Sequence, residues 1–272
     1  MSTKENQLPA IVYSCYFNAS TKGEHFVPDH VFSYQVSGSI IVNDGNHEYV
    51  FTEGVFRFFK RNQLARYAKI PPPNGEFKTL AIRFDQQVLR EFSSEYGYTA
   101  TKKYMGEPFL ELTNSSHYKS YMDSLLPYMK PGGELDKQLV SLKLKEALLV
   151  LLKVNPELKD VLFDFSEPGK IELEEFMNES FRFNVGLQRY AYMSGRSLPT
   201  FKRDFKKIYN TTPGRWLIKR RLEEAWFLIK EKDKKPSEVY LELGFEDFSH
   251  FTYAFRKAYG VAPSKINLPE RH

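Results

Sequence analysis

The side chains best suited to binding a partner concentrate in one short stretch near the end of the chain. Between Phe245 and Tyr259, aromatic residues recur at the spacing of one helix face, and polar residues occupy the opposite face. The polar set is Asp247, Ser249, His250, Thr252, Tyr253 and Arg256, and Lys257 follows as the second residue of a basic pair. Hydroxyl, imidazole and guanidinium groups on an exposed helix face can hydrogen-bond base edges and bind phosphates. The aromatic residues themselves are assigned to core packing.

A second copy of this pattern lies 50 residues earlier in the chain. The matched pairs are Tyr190 and Tyr240, Ala191 and Leu241, Met193 and Leu243, Phe201 and Phe251, Phe205 and Phe255, Lys206 and Arg256, Lys207 and Lys257, Tyr209 and Tyr259, Asn210 and Gly260, and Pro213 and Pro263. Two copies are too few for a solenoid, so the pattern predicts a duplicated small unit. The outward face of the earlier copy would carry Pro199, Thr200, Lys202, Arg203 and Lys206.

Each copy predicts a short helix, a tight turn and a second helix, the arrangement of a helix-turn-helix. Gly195 and Gly244 would form the turns, and Ser197 would cap the second helix of the first copy. Asn210 and Gly260 tolerate the left-handed conformation that ends a helix. The apolar stripe predicted for the last helix is Phe248, Phe251, Phe255 and Tyr259.

The stretch between the copies, residues 213–232, predicts one long helix. Pro213 suits its first turn, and apolar residues such as Trp216 and Leu228 alternate with charged ones at a helical period. About 17 residues, each rising 1.5 Å, make a rod of roughly 25 Å. Such a rod could hold two reading helices near the spacing of about 34 Å between successive major-groove sites on one side of a duplex.

The basic charge is concentrated in the same region. The formal net charge is +5, and residues 182–230 hold 12 Lys+Arg against 3 Asp+Glu. The first 164 residues hold 19 of each sign. This distribution favours a polyanionic partner, either nucleic acid or a membrane surface, with a solvated basic helix surface as the alternative.

On these motifs, the C-terminal part resembles the DNA-binding domain of the AraC/XylS family of transcription regulators. The residues that carry the resemblance are Gly244, Phe245, Ser249, His250, Phe251, Phe255, Arg256, Lys257, Gly260, Pro263 and Ser264, with Ser197, Phe201, Arg203, Phe205, Lys206 and Pro213 in the first copy. The resemblance spans residues 171–266. It implies seven helices, with two helix-turn-helix motifs that insert into successive major grooves of double-stranded DNA.

The resemblance implies that Pro199, Lys202, Arg203, Phe248, Ser249, His250 and Tyr253 face the DNA, and the outward faces of the two helices complete the predicted DNA-binding set. That set is Ser197, Pro199, Thr200, Lys202, Arg203, Lys206, Lys207, Phe248, Ser249, His250, Thr252, Tyr253, Arg256 and Lys257. The first recognition helix would begin at Leu198. Tyr253 stands where the family often has arginine, and the side chain of Pro199 cannot hydrogen-bond a base. Which of the two helices contributes more to sequence specificity is left open.

The first 160 residues follow a different pattern. Short segments rich in β-branched and aromatic residues alternate with turns such as Asp44-Gly45 and residues 71–75, which predicts a β-sandwich or barrel. A helix follows over residues 135–154, with Leu139, Leu142, Leu149 and Leu152 along one side, either as a core helix or as a dimer seam. This order resembles the degenerate cupin-like sensing domains that precede such DNA-binding domains. The resemblance implies a homodimer, with RNA polymerase as a further partner. Two alternatives stay open for the barrel: it binds a small-molecule effector, or it only dimerises or binds a regulatory protein.

Neither a metal site nor an active site is expected. His25, His30 and His47 are the candidates for a cupin metal cluster, but the segment after Gly54 offers arginine and lysine in place of the matching histidine. The single cysteine, Cys15, excludes an intramolecular disulfide. Phosphate loops, nucleophile elbows and zinc-protease motifs are missing from the sequence, so no cofactor and no enzymatic activity are predicted.

Together these patterns predict an α+β multidomain protein. Residues 1–160 would form a β-barrel or cupin-like sensing and dimerisation domain, residues 161–170 a linker, and residues 171–272 an all-α DNA-binding domain. The predicted function is sequence-specific regulation of transcription at promoter or operator DNA. The alternatives are a protein-interaction regulator of transcription and a cupin-type enzyme. Apolar runs too short for a membrane span, and an N-terminus without a signal-peptide pattern, favour the cytoplasm.

Overall fold

The computed structural model describes residues 9–18, 25–129 and 136–266. Its contacts divide the chain into two compact units, Met1–Ser166 and Glu167–His272. The predicted linker, residues 161–170, straddles this division. Its first three residues, Val161, Leu162 and Phe163, are buried in the core of the first unit rather than free between units.

The first unit contains ten strands in the described residues. They are β1 (Ile11–Tyr16), β2 (Phe26–Val27), β3 (His30–Ser37), β4 (Ser39–Asn43), β5 (Glu48–Phe51), β6 (Phe56–Phe59), β7 (Gln63–Leu64), β8 (Arg66–Ile70), β9 (Phe77–Phe84) and β10 (Phe109–Leu112). They form a five-stranded sheet in the order β1-β9-β3-β6-β10, a three-stranded sheet in the order β5-β4-β8, and the pair β2-β7. All the pairings are antiparallel.

The turns predicted from glycine and proline lie between consecutive strands. Asp44-Gly45 lies in the hairpin between β4 and β5, in which Asn43 pairs with Glu48. The side chain of Asp44 accepts hydrogen bonds from the backbone N–H groups of Asn46 and His47 at 2.9 and 2.7 Å. Residues 71–75 connect β8 to β9.

Four helices of the first unit cover one face of the five-stranded sheet. They are α1 (Gln86–Tyr96), α2 (Ser116–Leu125), α3 (Lys137–Val154) and α4 (Lys159–Leu162). Their buried side chains pack with Phe32, Phe56 and Phe58 of the sheet. The opposite face of the sheet, with Phe59 and Phe77, packs against the three-stranded sheet. The first unit is therefore layered, with helices, a sheet and a second sheet.

Helix α3 is apolar on two opposite faces. Leu148 and Leu151 are fully buried against the sheet, whereas Leu142 and Leu149 are 63% and 40% exposed. Leu152 is buried, so the four leucines predicted along one side of the helix differ in their exposure. That prediction counted leucines at helical spacing without distinguishing two stripes. Residue 135, its first residue, lies outside the described residues.

A guanidinium is buried between the two sheets. Arg57 is 2% exposed and donates to Oε1 of Gln35 at 2.7 Å and to Oγ1 of Thr79 at 2.9 Å. Its Cζ lies 5.8 and 5.7 Å from the ring centroids of Phe51 and Phe59. Burial lowers the pKa of Arg57 to about 9. Neutral acceptors and aromatic faces therefore stabilise this charge.

The histidines considered for a metal site do not form a cluster of metal ligands in the described residues. His30 is buried, and its Nδ1 accepts a hydrogen bond from the backbone of Arg61. Within the described ranges, no group of three or more His, Cys, Asp or Glu residues could hold a metal ion. None of the helices described is long and apolar enough to cross a membrane.

The second unit is entirely helical over its described residues. Its helices are α5 (Leu173–Ser180), α6 (Leu187–Met193), α7 (Leu198–Tyr209), α8 (Pro213–Lys230), α9 (Pro236–Glu242) and α10 (Phe248–Tyr259), with a 3-10 turn at Pro263–Lys265. Their buried side chains form one core that includes Phe201, Phe205, Phe251 and Phe255.

Substitutions on the two faces of α3 should have different effects on stability. Leu148→Ala should lower the free energy of unfolding of the first unit by about 2–5 kcal/mol, because it leaves a cavity in the core. Leu142→Ala, on the exposed face, should change it by less than about 0.5 kcal/mol. Urea unfolding followed by far-ultraviolet circular dichroism, at a chain concentration too low for association, measures both. Similar losses in the two variants would contradict the assigned faces.

Candidate nucleic-acid interface

The second unit contains two helix-turn-helix motifs, α6 with α7 and α9 with α10. The second helix of each motif has 12 residues. Ser197 Oγ accepts from the backbone N–H of Thr200 at 3.4 Å, and Asp247 Oδ1 accepts from that of His250 at 2.9 Å. These are N-caps, which satisfy otherwise unpaired N–H groups at the start of a helix. Both helices end in a left-handed residue, as predicted.

The two motifs are separated by 49 residues in their first helices and by 50 residues in their second helices. In the first turn, Arg196 N donates to Ala191 O at 2.9 Å; in the second, Phe245 N donates to Tyr240 O at 3.0 Å. These equivalent bonds place the first helices of the motifs 49 residues apart. The predicted pairs Tyr190 and Tyr240, Ala191 and Leu241, and Met193 and Leu243 are therefore wrong by one residue. The recognition helices keep the offset of 50, because the second turn contains one more residue.

The turn glycines approach backbone from another part of the same unit. Gly195 has φ +66° and Gly244 has φ +74°. A Cβ on Gly195 would lie 2.4 Å from the carbonyl oxygen of Gly169, and one on Gly244 would lie 2.5 Å from that of Arg182. Gly169 precedes α5 and Arg182 follows it, so the segments that flank α5 pack against the two turns. Both turns require glycine for conformation and for space.

Arg221, in the connecting helix α8, joins three backbone segments. Its guanidinium donates to the carbonyl oxygens of Phe181, Phe183 and Gly244 at 2.7, 2.8 and 2.9 Å. The phenol of Tyr190 donates to Phe183 O at 2.7 Å beside it. Sequence reasoning missed Arg221, because it lies among several basic residues and was counted as part of a charged surface.

Helix α8 holds each recognition helix through one tryptophan. The Trp216 ring centroid lies 5.7 and 4.8 Å from those of Phe205 and Tyr209 in α7. The Trp226 centroid lies 6.0 and 4.7 Å from those of Phe255 and Tyr259 in α10. The predicted rod is therefore one helix of 18 residues, packed against both motifs.

The predicted DNA-binding residues lie on the outer faces of α7 and α10 or at their caps. Exposed members are Ser197, Pro199, Lys202, Arg203, Lys206, Lys207, Phe248, Ser249, His250, Tyr253, Arg256 and Lys257, and half-buried members are Thr200 and Thr252. Phe201, Phe205, Phe251 and Phe255 are fully buried, as predicted. The placement of Phe248 in the buried stripe is wrong, because this ring is 43% exposed and contacts the Tyr240 ring at the edge of the core.

Two acidic residues beside these faces, Asp204 and Asp247, interact with groups close to them in the sequence. Backbone N–H groups of His250 and Ser249 lower the pKa of Asp247, the cap of α10. Partial removal of Asp204 from water opposes its ionisation, but the hydrogen bond from Arg196 and the charge of Arg203 lower its pKa overall. Both carboxylates therefore stay ionised at neutral pH.

Most of the exposed cations on the two faces are not neutralised. Lys202, Lys206, Lys207, Arg256 and Lys257 form no ion pair with an acidic residue among the described residues. Arg203 is 66% exposed, with Nε 3.5 Å from Asp204 Oδ1. The two faces thus present cations together with hydrogen-bonding groups, the chemistry that phosphates and base edges require.

Two family models match the chain. The ExsA N-terminal regulatory domain matches residues 30–161, and a helix-turn-helix domain matches residues 190–267. The first match lies within the β-sheet unit. The second runs from α6 through α10 and so covers both motifs.

Curated relatives match over most of the chain. The virulence regulon transcriptional activator VirF of Yersinia enterocolitica is 25% identical over 244 residues, 86% of this chain and 87% of that protein. The HTH-type transcriptional regulator ExsA of Pseudomonas aeruginosa is 24% identical over 264 residues, 93% of this chain and 91% of that protein. Among solved structures, apo ToxT from Vibrio cholerae aligns at 12% identity over 95% of this chain and 97% of that chain, with a TM-score of 0.48.

The second turn offers a test of the close backbone approach. Gly244→Ala should lower the free energy of unfolding of the second unit by about 1–2 kcal/mol for the left-handed conformation. The same substitution should lower the free energy of unfolding by about 1–3 kcal/mol more, because the added Cβ must displace the backbone of Arg182. Gly260→Ala is the matched control, with φ +77° and no heavy atom within 4 Å of the added Cβ. It should show only the conformational cost.

Urea unfolding followed by tryptophan fluorescence measures both glycine variants. Trp216 and Trp226 are the two tryptophans of the chain, and both lie in the second unit. Equal losses in Gly244→Ala and Gly260→Ala would show that the turn has room for a side chain, contrary to the structure.

Proposed function

Because the chain belongs to the AraC/XylS family of DNA-binding transcription regulators, we propose that α7 and α10 are its recognition helices, inserted into successive major grooves of one duplex. The observation that carries this proposal is the pair of outward faces, capped alike and fixed to one connecting helix. The N-terminal halves of these helices are the ends that reach bases in helix-turn-helix proteins.

The candidate residues divide into two groups by their place on the helices. Lys202, Arg203, Ser249, His250 and Tyr253 lie in the first half of their helices, where side chains can reach base edges. The basic pairs in the last turns are Lys206 with Lys207 and Arg256 with Lys257. We assign these pairs to the phosphate backbone, which supplies affinity that depends on salt but not on sequence.

The first unit is proposed to regulate DNA binding by bringing two chains together. The support is the exposed stripe of Leu142 and Leu149 on α3, opposite the buried face of the same helix. Two chains would double the length of DNA contacted. A small-molecule effector and a contact with RNA polymerase stay predictions of the sequence.

Arg203→Ala tests the base-reading assignment. On a site selected from random DNA, this variant should lose about 1–3 kcal/mol of binding free energy, with a smaller loss on random DNA. Lys207→Ala should weaken binding to both DNAs alike and reduce the slope of log K against log salt by about 1. Lys230→Ala, at the end of α8, is the control of equal charge. Fluorescence anisotropy at several salt concentrations measures all three, and unchanged affinities for Arg203→Ala would refute its role.

Leu142→Glu tests the proposed dimer seam. A carboxylate at this exposed apolar position should turn a dimer into a monomer at micromolar concentration, because burying an unpaired charge is costly. Ser141→Glu adds the same charge at an exposed position of α3 that lies about 100° around the helix from Leu142, and it should leave the dimer intact. Light scattering coupled to size-exclusion chromatography gives the masses. A wild-type chain that is already monomeric would rule out this regulatory arrangement.

A further inference from the structure

A groove lies between the connecting helix α8 and the second recognition helix α10. It encloses about 590 Å³, within the range of about 300–1,000 Å³ that is usual for small-molecule sites. Its walls are mostly apolar and include Ile218 and Leu222 of α8 and Ala254 of α10. Ile218 is 39% exposed, so part of this apolar wall faces solvent.

Small residues on α10 leave this space open. Ala254 and Ala258 line the groove, and the residues at the same positions of α7 are Asp204 and Ile208. Asp204 is held by an ion pair with Arg196, and Ile208 carries three more side-chain carbons than alanine. The groove is therefore built by residue choices that distinguish the second motif from the first.

The rim of the groove is positively charged. Arg215, Lys219 and Lys257 line it, against one acidic residue, Glu223. Glu223 is 3.8 Å from the ammonium of Lys219. In the described parts of the chain, Arg215 and Lys257 have no acidic partner. An apolar space with two unneutralised cations at its rim is complementary to a molecule with an apolar body and one anionic group.

We propose that this groove binds a small amphiphilic organic anion, and that the bound anion excludes DNA from the second recognition helix. His250, Tyr253 and Lys257 line the groove and also belong to the DNA-facing set. A ligand seated there covers the same side chains that the major groove requires. The exclusion of DNA rests on the proposed function, whereas the binding of the anion does not.

The binding test uses the full chain and the dye 8-anilinonaphthalene-1-sulfonate, an aromatic monoanion. Energy transfer to the dye is followed from Trp216 and Trp226, which both belong to the second unit, so dye bound close to them contributes most to the signal. Saturable binding at one site is expected. Ile218→Glu should raise the dissociation constant at least tenfold, because it places a carboxylate in the apolar wall. The matched control is Ile208→Glu, an isoleucine of similar exposure on α7, which should bind within twofold of wild type.

Three outcomes of the binding test are decisive. Failure of the wild type to bind the dye, or equal weakening in both glutamate variants, would overturn the proposed site. Loss of dye to an acidic amphipathic peptide but not to a fatty acid or an alkyl sulfonate would also overturn it, since the groove would then fit a protein segment. Circular dichroism melting of each variant confirms that the comparison is made between folded chains.

Addition of DNA separates this inference from the proposed function. A duplex selected from random sequence should release the dye from the wild-type chain in proportion to the DNA bound. A ternary complex, with DNA and dye both bound, would overturn the exclusion. A chain that binds the dye but no duplex would refute the proposed function while leaving the anion site in place.

Discussion

One continuous helix determines how the two recognition helices face a duplex. Helix α8 carries Trp216 near its start and Trp226 near its end, and each indole packs on the aromatic residues of one recognition helix. Ten residues of α-helix separate these anchors by about 15 Å along the axis. Since a helix interior bends little without proline or glycine, the relation between the two reading faces is set by this rod rather than by flexible connections.

Close backbone contacts and hydrogen bonds around α5 fix the two turns relative to α8. The segments before and after α5 contact the two turns, at Gly195 and Gly244, so closely that neither turn can accept a side chain. Arg221 then ties α8 to the end of α5 and to the second turn through three carbonyl oxygens. A charged donor suits this place, because carbonyl groups left without partners inside a protein are costly.

Local sequence rules predicted much of this unit and failed where distant parts of the chain meet. The aromatic spacing, the caps at Ser197 and Asn210, and the turn glycines located both motifs, because each depends on neighbours within one or two helical turns. The offset of the first helices was misjudged, because an extra residue in a turn leaves no periodic trace. Arg221 and Trp226 were not singled out, since their importance depends on which segments surround them.

The same distinction applies to the first unit and to the outer faces. Alternation of apolar residues predicted strands, but the arrangement into a five-stranded and a three-stranded sheet depends on pairings between distant segments. The spacing of the leucines correctly predicted that α3 is a helix with apolar residues along it. It did not separate the buried leucines from the exposed ones. Phe248 shows the limit of periodicity at a helix start, where a residue in the apolar register can project past the edge of the core.

Helix α8 holds the two reading faces at a fixed separation, and hydroxyl-radical footprinting on a selected DNA site measures that arrangement directly. Each bound chain should protect two patches on one side of the duplex, about 10 base pairs apart, the repeat of the double helix. A single protected patch per chain, or two patches on opposite sides of the duplex, would contradict it.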